Sequence, residues 1–246
     1  MVQTIQAKQV DLRYLITYFG IQLVEDEQFF RECVDDLPEV TELDKQLLDK
    51  VRAGYLNLLN YPPLLEDVVR MAVLDPILFI GDFYLSPFDV KSEQSIDIAE
   101  EDEGVIIKGR IDTLVLRNQF WVMVIESKQA SFSVEEGLAQ LLAYLLGNPH
   151  PDRPSYGMIT TGGSFIFVKL VKSETPQYAT SKLFATRNKQ DLYTVLSILK
   201  RLSEIVISTS TELNIYDCCL YSGNCLRSSK GDSGTAGSSG QNSKPT

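Results

Sequence analysis

The sequence predicts an α/β protein with an N-terminal helical extension, and two patterns indicate this class. Apolar residues recur at helical spacing within residues 1–62, whereas the middle of the chain holds β-branched runs that are parted by short polar turns. A length of 246 residues, with 44% apolar and 23% charged, excludes fibrous and wholly disordered classes. We predict a helical region over 1–62, a folded core over 63–210 and a disordered tail over 222–246.

The N-terminal helices are predicted from caps as well as from periodicity. Thr41 is a candidate N-cap, Asp44 follows at the third helical position, and apolar residues then recur at helical spacing. A shorter helix is predicted to end near Gly20. A third helix is predicted to follow the prolines at 62–63 and to end at Pro76.

The core is predicted to contain both strands and helices. Polar turns part the apolar runs into two hairpins, and the acidic stretch 89–103 is predicted to be a loop. Ser133 and Glu136 form a capping box that starts a helix, and Gly147 ends it. The predicted strands are 77–85, 105–116, 120–125, 156–161 and 165–171, and the predicted helices are 133–147 and 188–207.

Charge and histidine content limit the chemistry. The formal net charge is −10, and the single histidine, His150, excludes His-rich metal sites and leaves one imidazole for any catalytic triad. Residues 24–49 carry ten acids against two bases, whereas residues 104–201 carry twelve Lys and Arg against seven Asp and Glu. An acidic total therefore does not exclude a polyanionic partner for the second segment. If the protein is an enzyme, carboxylates and lysines must carry its chemistry.

The sequence predicts a cytoplasmic protein without a membrane partner. No run reaches the roughly 18 apolar residues that a membrane span requires, and residues 1–11 lack the apolar core of a signal peptide. The four cysteines are expected to be reduced thiols.

Two carboxylates and an ammonium are predicted to converge in the core. Asp112 lies within the strand 105–116, and Glu126 and Lys128 end the next strand, where residues two apart project to the same face. Pairing of the two strands through a short turn brings Asp112 within reach of Glu126. Since neighbouring carboxylates repel each other unless a cation lies between them, the arrangement predicts a Mg²⁺ site. Lys128 would stabilise a phosphate or orient a water.

The order of the elements makes this pattern informative. An acid-x-Lys triplet is common by chance, and Asp89-Val90-Lys91 is such a decoy. In the predicted site, a strand Asp is followed by a short turn, a strand that ends in Glu-x-Lys, and a capped helix. Gln140 and Tyr144 lie four residues apart on that helix and share a face that could cover the strand ends.

With this order of residues, the sequence resembles the PD-(D/E)xK nuclease superfamily, which has the restriction-endonuclease-like fold. The matching residues are Ile111-Asp112, the strand end Ile125-Glu126-Ser127-Lys128 and the helical Gln140-Leu141-Leu142-Ala143-Tyr144, and Glu66 is similar in placement to the family's helical acid. The resemblance covers residues 64–171. It implies a mixed central sheet flanked by helices, within the predicted core over 63–210.

The resemblance implies a metal-dependent deoxyribonuclease that hydrolyses phosphodiester bonds. The implied ligands of Mg²⁺ or Mn²⁺ are Asp112, Glu126 and the Ser127 carbonyl, and Lys128 would assist the attacking water. The implied catalytic residues are Asp112, Glu126, Lys128 and Glu66, and the residues implied to support DNA or the site geometry are Gln140 and Tyr144.

Within the superfamily, the chain is most similar to small proteins akin to the N-terminal nuclease region of type I restriction R subunits. The chain contains no Gly-Lys dipeptide, and so it lacks the phosphate-binding P-loop of a motor. The implied partners are therefore DNA and, as a candidate, a motor or restriction–modification subunit.

Several alternatives stay open at this point. Asp112 and Lys128 would also suit an ion pair at a sheet edge, and Glu66 has Arg70 four residues on as a salt-bridge partner. Tyr144 would also suit the core, with Gln140 on the helix surface. The alternative function is a catalytically inactive nuclease-fold binding or regulatory protein, which the net charge of −10 favours. An interaction subunit whose acidic N-terminal helices dock a motor partner is compatible with either function.

Overall fold

A computed structural model describes residues 3–100, 105–117, 120–131 and 137–221. It shows a mixed α/β fold in which a large mixed sheet is flanked by helices, as the sequence predicts at this level. Residues up to Thr209 form one compact unit, and the second unit, from Ser210, is helical backbone as far as Tyr221. The predicted tail over 222–246 lies outside the described residues.

The described residues form six α-helices and nine strands. The helices are α1 (Leu12–Phe19), α2 (Glu42–Leu58), α3 (Glu66–Val69), α4 (Asp75–Ile80), α5 (Leu138–Leu146) and α6 (Lys189–Tyr221). The strands are β1 (Gln3–Gln6), β2 (Gln22–Leu23), β3 (Phe88–Glu100), β4 (Val105–Arg117), β5 (Phe120–Ser127), β6 (Ser155–Thr160), β7 (Ser164–Val171), β8 (Gln177–Thr180) and β9 (Phe184–Ala185). Short 3₁₀ turns occur at Ala7–Gln9 and Arg31–Cys33, and a π-helical turn at Arg70–Leu74 joins α3 to α4. Among these helices, none combines the length and apolar character that a membrane crossing requires.

The described strands form one sheet in the order β1-β4-β5-β6-β7-β8-β2, with β3 beside β4 and β9 beside β7. β4 is antiparallel to β3 and β5 and parallel to β1, and β5 is parallel to β6. Because β3 occupies one edge of β4 along its length, β1 and β5 share the other edge, at residues 105–108 and 113–117. Residues 109–112 therefore have no partner on that edge among the described strands.

Apolar side chains fill a core on each face of the sheet. The α5-side core lies under α1 and α5, and the α2-side core lies under α2, the helical segment 66–80 and α6. The α5-side core includes Ile111, Val124 and Leu141, and the α2-side core includes Leu48, Ile125 and Leu196.

The alternation of β5 determines where its polar end points. Val124 packs in the α5-side core and Ile125 in the α2-side core. Glu126 and Lys128 therefore project toward α5, and the residue between them projects to the opposite face. The Lys128 N–H donates to the Thr160 carbonyl at 2.8 Å, which continues the β5–β6 pairing one residue beyond the strand.

Several local predictions are confirmed. Thr41 caps α2 by accepting a hydrogen bond from the Asp44 N–H at 3.1 Å, and Gly20 ends α1 in the left-handed conformation with φ 62°. Gly147 ends α5 as predicted, whereas the predicted capping box at 133–136 lies outside the described residues. Both predicted hairpins, β4–β5 and β6–β7, are antiparallel pairs.

The predicted strand over 77–85 is wrong, and so is the predicted helix end at Pro76. Residues Asp75–Ile80 form α4, and the helical segment continues through Pro76. This proline lies in the first turn of α4, directly after the π-helical turn, where its missing N–H costs little. A short apolar run alone does not distinguish a buried strand from a buried helix.

The acidic stretch 89–103 was predicted to be a loop, and this is wrong for most of it, because β3 spans Phe88–Glu100. Basic residues of β4 pair with its acids across the two strands. Asp97 lies 3.1 Å from Lys108, and Glu93 lies 3.4 Å from Arg110. The charged run is therefore the solvated face of a strand.

The region 1–62 is not purely helical. β1 pairs in parallel with β4, and β2 pairs in parallel with β8. These strands span four and two residues, which is too short for a recognisable alternation of polar and apolar residues.

Gly109 is required by close packing rather than by its backbone conformation. A Cβ at this position would lie 2.5 Å from Tyr144 Cε1 and 2.8 Å from Ala7 Cβ. We expect Gly109→Ala to lower the free energy of unfolding by about 1–3 kcal/mol in urea denaturation, because the ring or the turn must move. Gly54, exposed in α2 with no neighbour within 4 Å, is the matched control, and Gly54→Ala is expected to raise that free energy by about 0.5–1 kcal/mol. Equal effects of the two substitutions would contradict this packing argument.

Candidate active site

The candidate site lies at the gap on β4 between β1 and β5. Asp112 ends this gap, and its Oδ2 accepts a hydrogen bond from the Ser127 N–H at 2.8 Å. The Tyr144 hydroxyl donates to the Arg110 carbonyl at 3.0 Å. Side chains thus satisfy backbone groups that have no strand partner on this edge.

A chain of hydrogen bonds joins the end of β5 to α5. Lys128 Nζ donates to Glu126 Oε1 at 2.5 Å and to Gln140 Oε1 at 2.9 Å. Gln140 Nε2 donates to the Tyr144 hydroxyl at 2.8 Å. The Lys128 ammonium is therefore held by Glu126 on its own strand end and by Gln140 of α5.

One carboxylate oxygen of this network has no partner. Glu126 is 1% exposed, and its Oε2 accepts no hydrogen bond from the described residues. A buried polar atom without a partner costs on the order of 1–3 kcal/mol, and a charged one costs more. Such an oxygen in a buried carboxylate is available as a ligand of a cation.

The electrostatics of the site disfavour two negative charges. Burial, and after it the charge of Asp112, raises the pKa of Glu126 to about 8, although the Lys128 ammonium acts in the opposite direction. Burial also raises the pKa of Asp112, against the hydrogen bond from the Ser127 N–H and the positive charges of Lys128 and Lys8. Both carboxyl groups thus retain protons more strongly than free ones, and a further cation would relieve their repulsion.

Glu66 shares a pocket with two of the motif residues, Lys128 and Gln140. It begins α3 and lines a pocket of about 640 Å³ together with Lys128. Burial, and after it the charge of Asp112, raises the pKa of Glu66. Arg70 lies 3.9 Å from Asp67, and the described residues contain no ion pair between Arg70 and Glu66. The intrahelical salt bridge that the sequence left open is therefore not formed.

The structure brings the predicted residues together in two groups. Asp112 and the backbone of Ser127 form one hydrogen-bonded pair, and Glu126, Lys128, Gln140 and Tyr144 form the chain described above. Lys128 pairs with Glu126 rather than with Asp112, so the open alternative of an Asp112–Lys128 ion pair is not formed. Tyr144 is fully buried and belongs to the α5-side core, as the alternative interpretation predicts, whereas Gln140 is 5% exposed and does not lie on the helix surface.

The acids do not form a group of three around one point. Within the described ranges, no group of three or more His, Cys, Asp and Glu side chains is placed to hold a metal ion. Asp112, Glu126 and Glu66 therefore do not form a three-acid metal cluster, although the charges of Asp112 and Glu66 both act on Glu126. Two carboxylates with waters suit Mg²⁺, which keeps much of its hydration shell in proteins.

Lys8 is a residue of the pocket that the sequence did not indicate. It lies in the 3₁₀ turn after β1 and lines the pocket with Glu66 and Lys128. Lys8 is exposed and lies far from the motifs along the chain, so no local sequence pattern indicates that it belongs to the site. Only the parallel pairing of β1 with β4, which the sequence did not predict, brings it to this place.

Comparison with known proteins gives a structural likeness but no family. No protein-family model matches the chain, and no curated protein matches it. Among solved structures, the chain is similar to one described as the cryoEM structure of a DrdV–DNA complex, with 14% sequence identity and a TM-score of 0.45. The similarity covers 63% of this chain and 14% of that chain, so the chain spans a small part of that protein.

The raised pKa of Glu126 predicts that stability falls with pH. Because the pKa rises from 4.5 in an unperturbed side chain to about 8 here, the folded state binds the proton more tightly. This stabilisation is complete below pH 4.5 and is lost as pH rises through about 8. We expect Glu126→Gln, which cannot ionise, to gain more than about 1.4 kcal/mol relative to wild type between pH 5 and pH 9, since one pKa unit corresponds to that amount.

Urea denaturation without added metal measures this difference at each pH. Glu174→Gln, an exposed substitution outside the site, is the control, and its difference from wild type should not follow the same trend. A Glu126→Gln difference that is constant with pH would show that the carboxyl group is not perturbed.

Proposed function

We propose that this protein is a metal-dependent deoxyribonuclease with a restriction-endonuclease-like fold and a PD-(D/E)xK site. The observation that carries the proposal is the buried Glu126 carboxylate, whose Oε2 has no hydrogen-bond partner among the described residues, close to the Asp112 carboxylate and the Lys128 ammonium. The proposed substrate is DNA, and a motor or restriction-system subunit is a candidate protein partner.

The residues of the site suit a hard divalent cation. Asp112 and Glu126 supply carboxylate oxygens, and the Ser127 carbonyl is the third proposed ligand of Mg²⁺ or Mn²⁺. The Ser127 N–H engages Asp112 Oδ2, which fixes the carboxylate and leaves Oδ1 for the ion. When bound, the ion supplies Lewis-acid polarisation of the phosphate and lowers the pKa of water.

Lys128 is proposed to act on the reacting phosphate. Its ammonium is held by Glu126 and Gln140, and its side chain keeps 13% of its surface exposed at the pocket. A preorganised positive charge stabilises the negative charge that develops on a phosphate during hydrolysis. The same ammonium can donate a hydrogen bond that orients the attacking water.

Gln140 and Tyr144 are proposed to position Lys128. Tyr144 is fully buried, so it has no surface to offer to DNA. Its hydroxyl joins the Arg110 carbonyl to the Gln140 amide, and that amide orients its oxygen toward Lys128. Glu66 is proposed as a further catalytic acid, which accepts hydrogen bonds from water molecules in the pocket.

Cleavage of plasmid DNA tests the proposal. We expect nicking in Mg²⁺ or Mn²⁺ and none in EDTA. Asp112→Ala should abolish the activity because a metal ligand is lost, and Lys128→Ala should lower it by about 10²–10³-fold because a preorganised charge is lost. Circular dichroism checks that each variant remains folded.

The decoy triplet offers a matched control. Asp89 and Lys91 carry the same acid-x-Lys spacing on β3, are exposed, and lie 3.9 Å apart. Asp89→Ala and Lys91→Ala should therefore retain wild-type cleavage. Activity that survives both site substitutions in folded protein would end the proposal.

A catalytically inactive nuclease-fold binding or regulatory protein is the second candidate. The net charge of −10 favours it, because an acidic surface weakens attraction to DNA. Metal binding separates the two candidates, since an inactive scaffold has no need to bind Mg²⁺ through Asp112.

The pKa of Glu126 makes the predicted metal binding pH-dependent. Protons compete with Mg²⁺ for the carboxylate, so we expect the affinity to rise about tenfold per pH unit from pH 6 to pH 8 and to level off above, because the pKa of Glu126 is about 8. Isothermal titration calorimetry measures it, and Asp112→Asn should remove the binding. Equal affinity at pH 6 and pH 8 would place the ion elsewhere.

A further inference from the structure

A second cation lies at the pocket, outside the motif residues. Lys8 is exposed in the 3₁₀ turn Ala7–Gln9, and its side chain lines the pocket with Glu66 and Lys128. Its charge is near enough to lower the pKa of both Asp112 and Glu66, against the burial that raises them. Lys8 therefore acts electrostatically on the acids of the site.

The backbone that carries Lys8 is held in place by packing. β1 pairs in parallel with β4, and Gln6 is the register partner of Lys108. The next residue, Ala7, is 1% exposed and packs against the bare Cα of Gly109. The turn is thereby fixed beside the gap on β4, whereas the Lys8 side chain stays in solvent.

The Lys8 ammonium has no acidic partner in the part of the chain that the structure describes. Seven of the described lysines lie within 4.0 Å of a carboxylate oxygen: Lys45, Lys91, Lys108, Lys128, Lys169, Lys189 and Lys200. Lys8 makes no hydrogen bond or ion pair within the described part of a chain whose net charge is −10. An unpaired cation at the edge of a pocket that also holds the Lys128 ammonium is available to an anionic ligand.

We infer that Lys8 binds a backbone phosphate of the nucleic acid next to the phosphodiester that is hydrolysed. The inference rests on the proposed function and assigns a substrate contact to a residue outside its motifs. An ammonium on a flexible stem binds phosphate as a point charge, without base preference. Lys8 is thus a substrate-binding residue, whereas Lys128, held by Glu126 and Gln140, acts at the reacting phosphate.

Binding of a fluorescein-labelled DNA duplex to the full-length protein, followed by anisotropy over a salt series in EDTA, tests the inference. Lys8→Ala should weaken binding about five- to tenfold and lower the slope of log K against log salt by about 1, as expected for one lost phosphate contact. Lys8→Arg should restore most of the affinity. Lys50→Ala is the matched control, because Lys50 is exposed on α2, makes no ion pair within the described residues, and carries the same charge.

The outcomes separate this inference from the proposed function. If wild type cleaves DNA and Lys8→Ala raises KM more than it lowers kcat, both ideas are supported. If wild type cleaves and Lys8→Ala matches Lys50→Ala in affinity and salt slope, the Lys8 assignment is overturned and the nuclease stands. If DNA binds with the expected Lys8 dependence but is not cleaved, the nuclease proposal fails and the phosphate contact stands. A wild-type protein that does not bind DNA overturns the Lys8 assignment.

Discussion

Two neighbouring acids that are withdrawn from water constrain this part of the molecule. Burial, and after it the Asp112 charge, raises the pKa of Glu126, and Lys128 compensates for only part of this rise. Folding nevertheless holds the acids in place, because the Ser127 N–H engages Asp112 and the Lys128 ammonium engages Glu126. Ionising both acids costs free energy when no cation is bound, and hydrogen bonds already hold the two carboxyl groups in place. The site is therefore preorganised for a cation.

The strand order of the sheet leaves a gap beside these acids. β4 shares one edge between β1 and β5, which leaves residues 109–112 without a strand partner there. α5 covers this gap, and the close approach of Tyr144 is tolerated because Gly109 has no side chain. The same gap admits the turn that carries Lys8. One interruption in backbone pairing therefore lies beside Asp112, the hydrogen bond from Tyr144 and the turn that carries Lys8.

The sequence predicted the local features of the site better than its surroundings. Period-two alternation of β5 is enough to place Glu126 and Lys128 on one face, and spacing by four is enough to align Gln140 with Tyr144. Contacts between distant segments follow no local pattern, so the strand pairing that brings Lys8 to the pocket was not predictable. Charge also misled the interpretation of 89–103, because acids on a solvated strand face resemble those of a loop.

Anomalous diffraction from crystals grown at pH 8 with Mn²⁺ tests most directly whether the two acids form a cation site. If the two acids bind the ion, we expect an anomalous peak at about 2.0–2.5 Å from oxygens of both Asp112 and Glu126, with the Ser127 carbonyl as a further ligand. A peak found only at exposed carboxylates, or Mn²⁺-soaked crystals in which Glu126 Oε2 still has no partner, would contradict it.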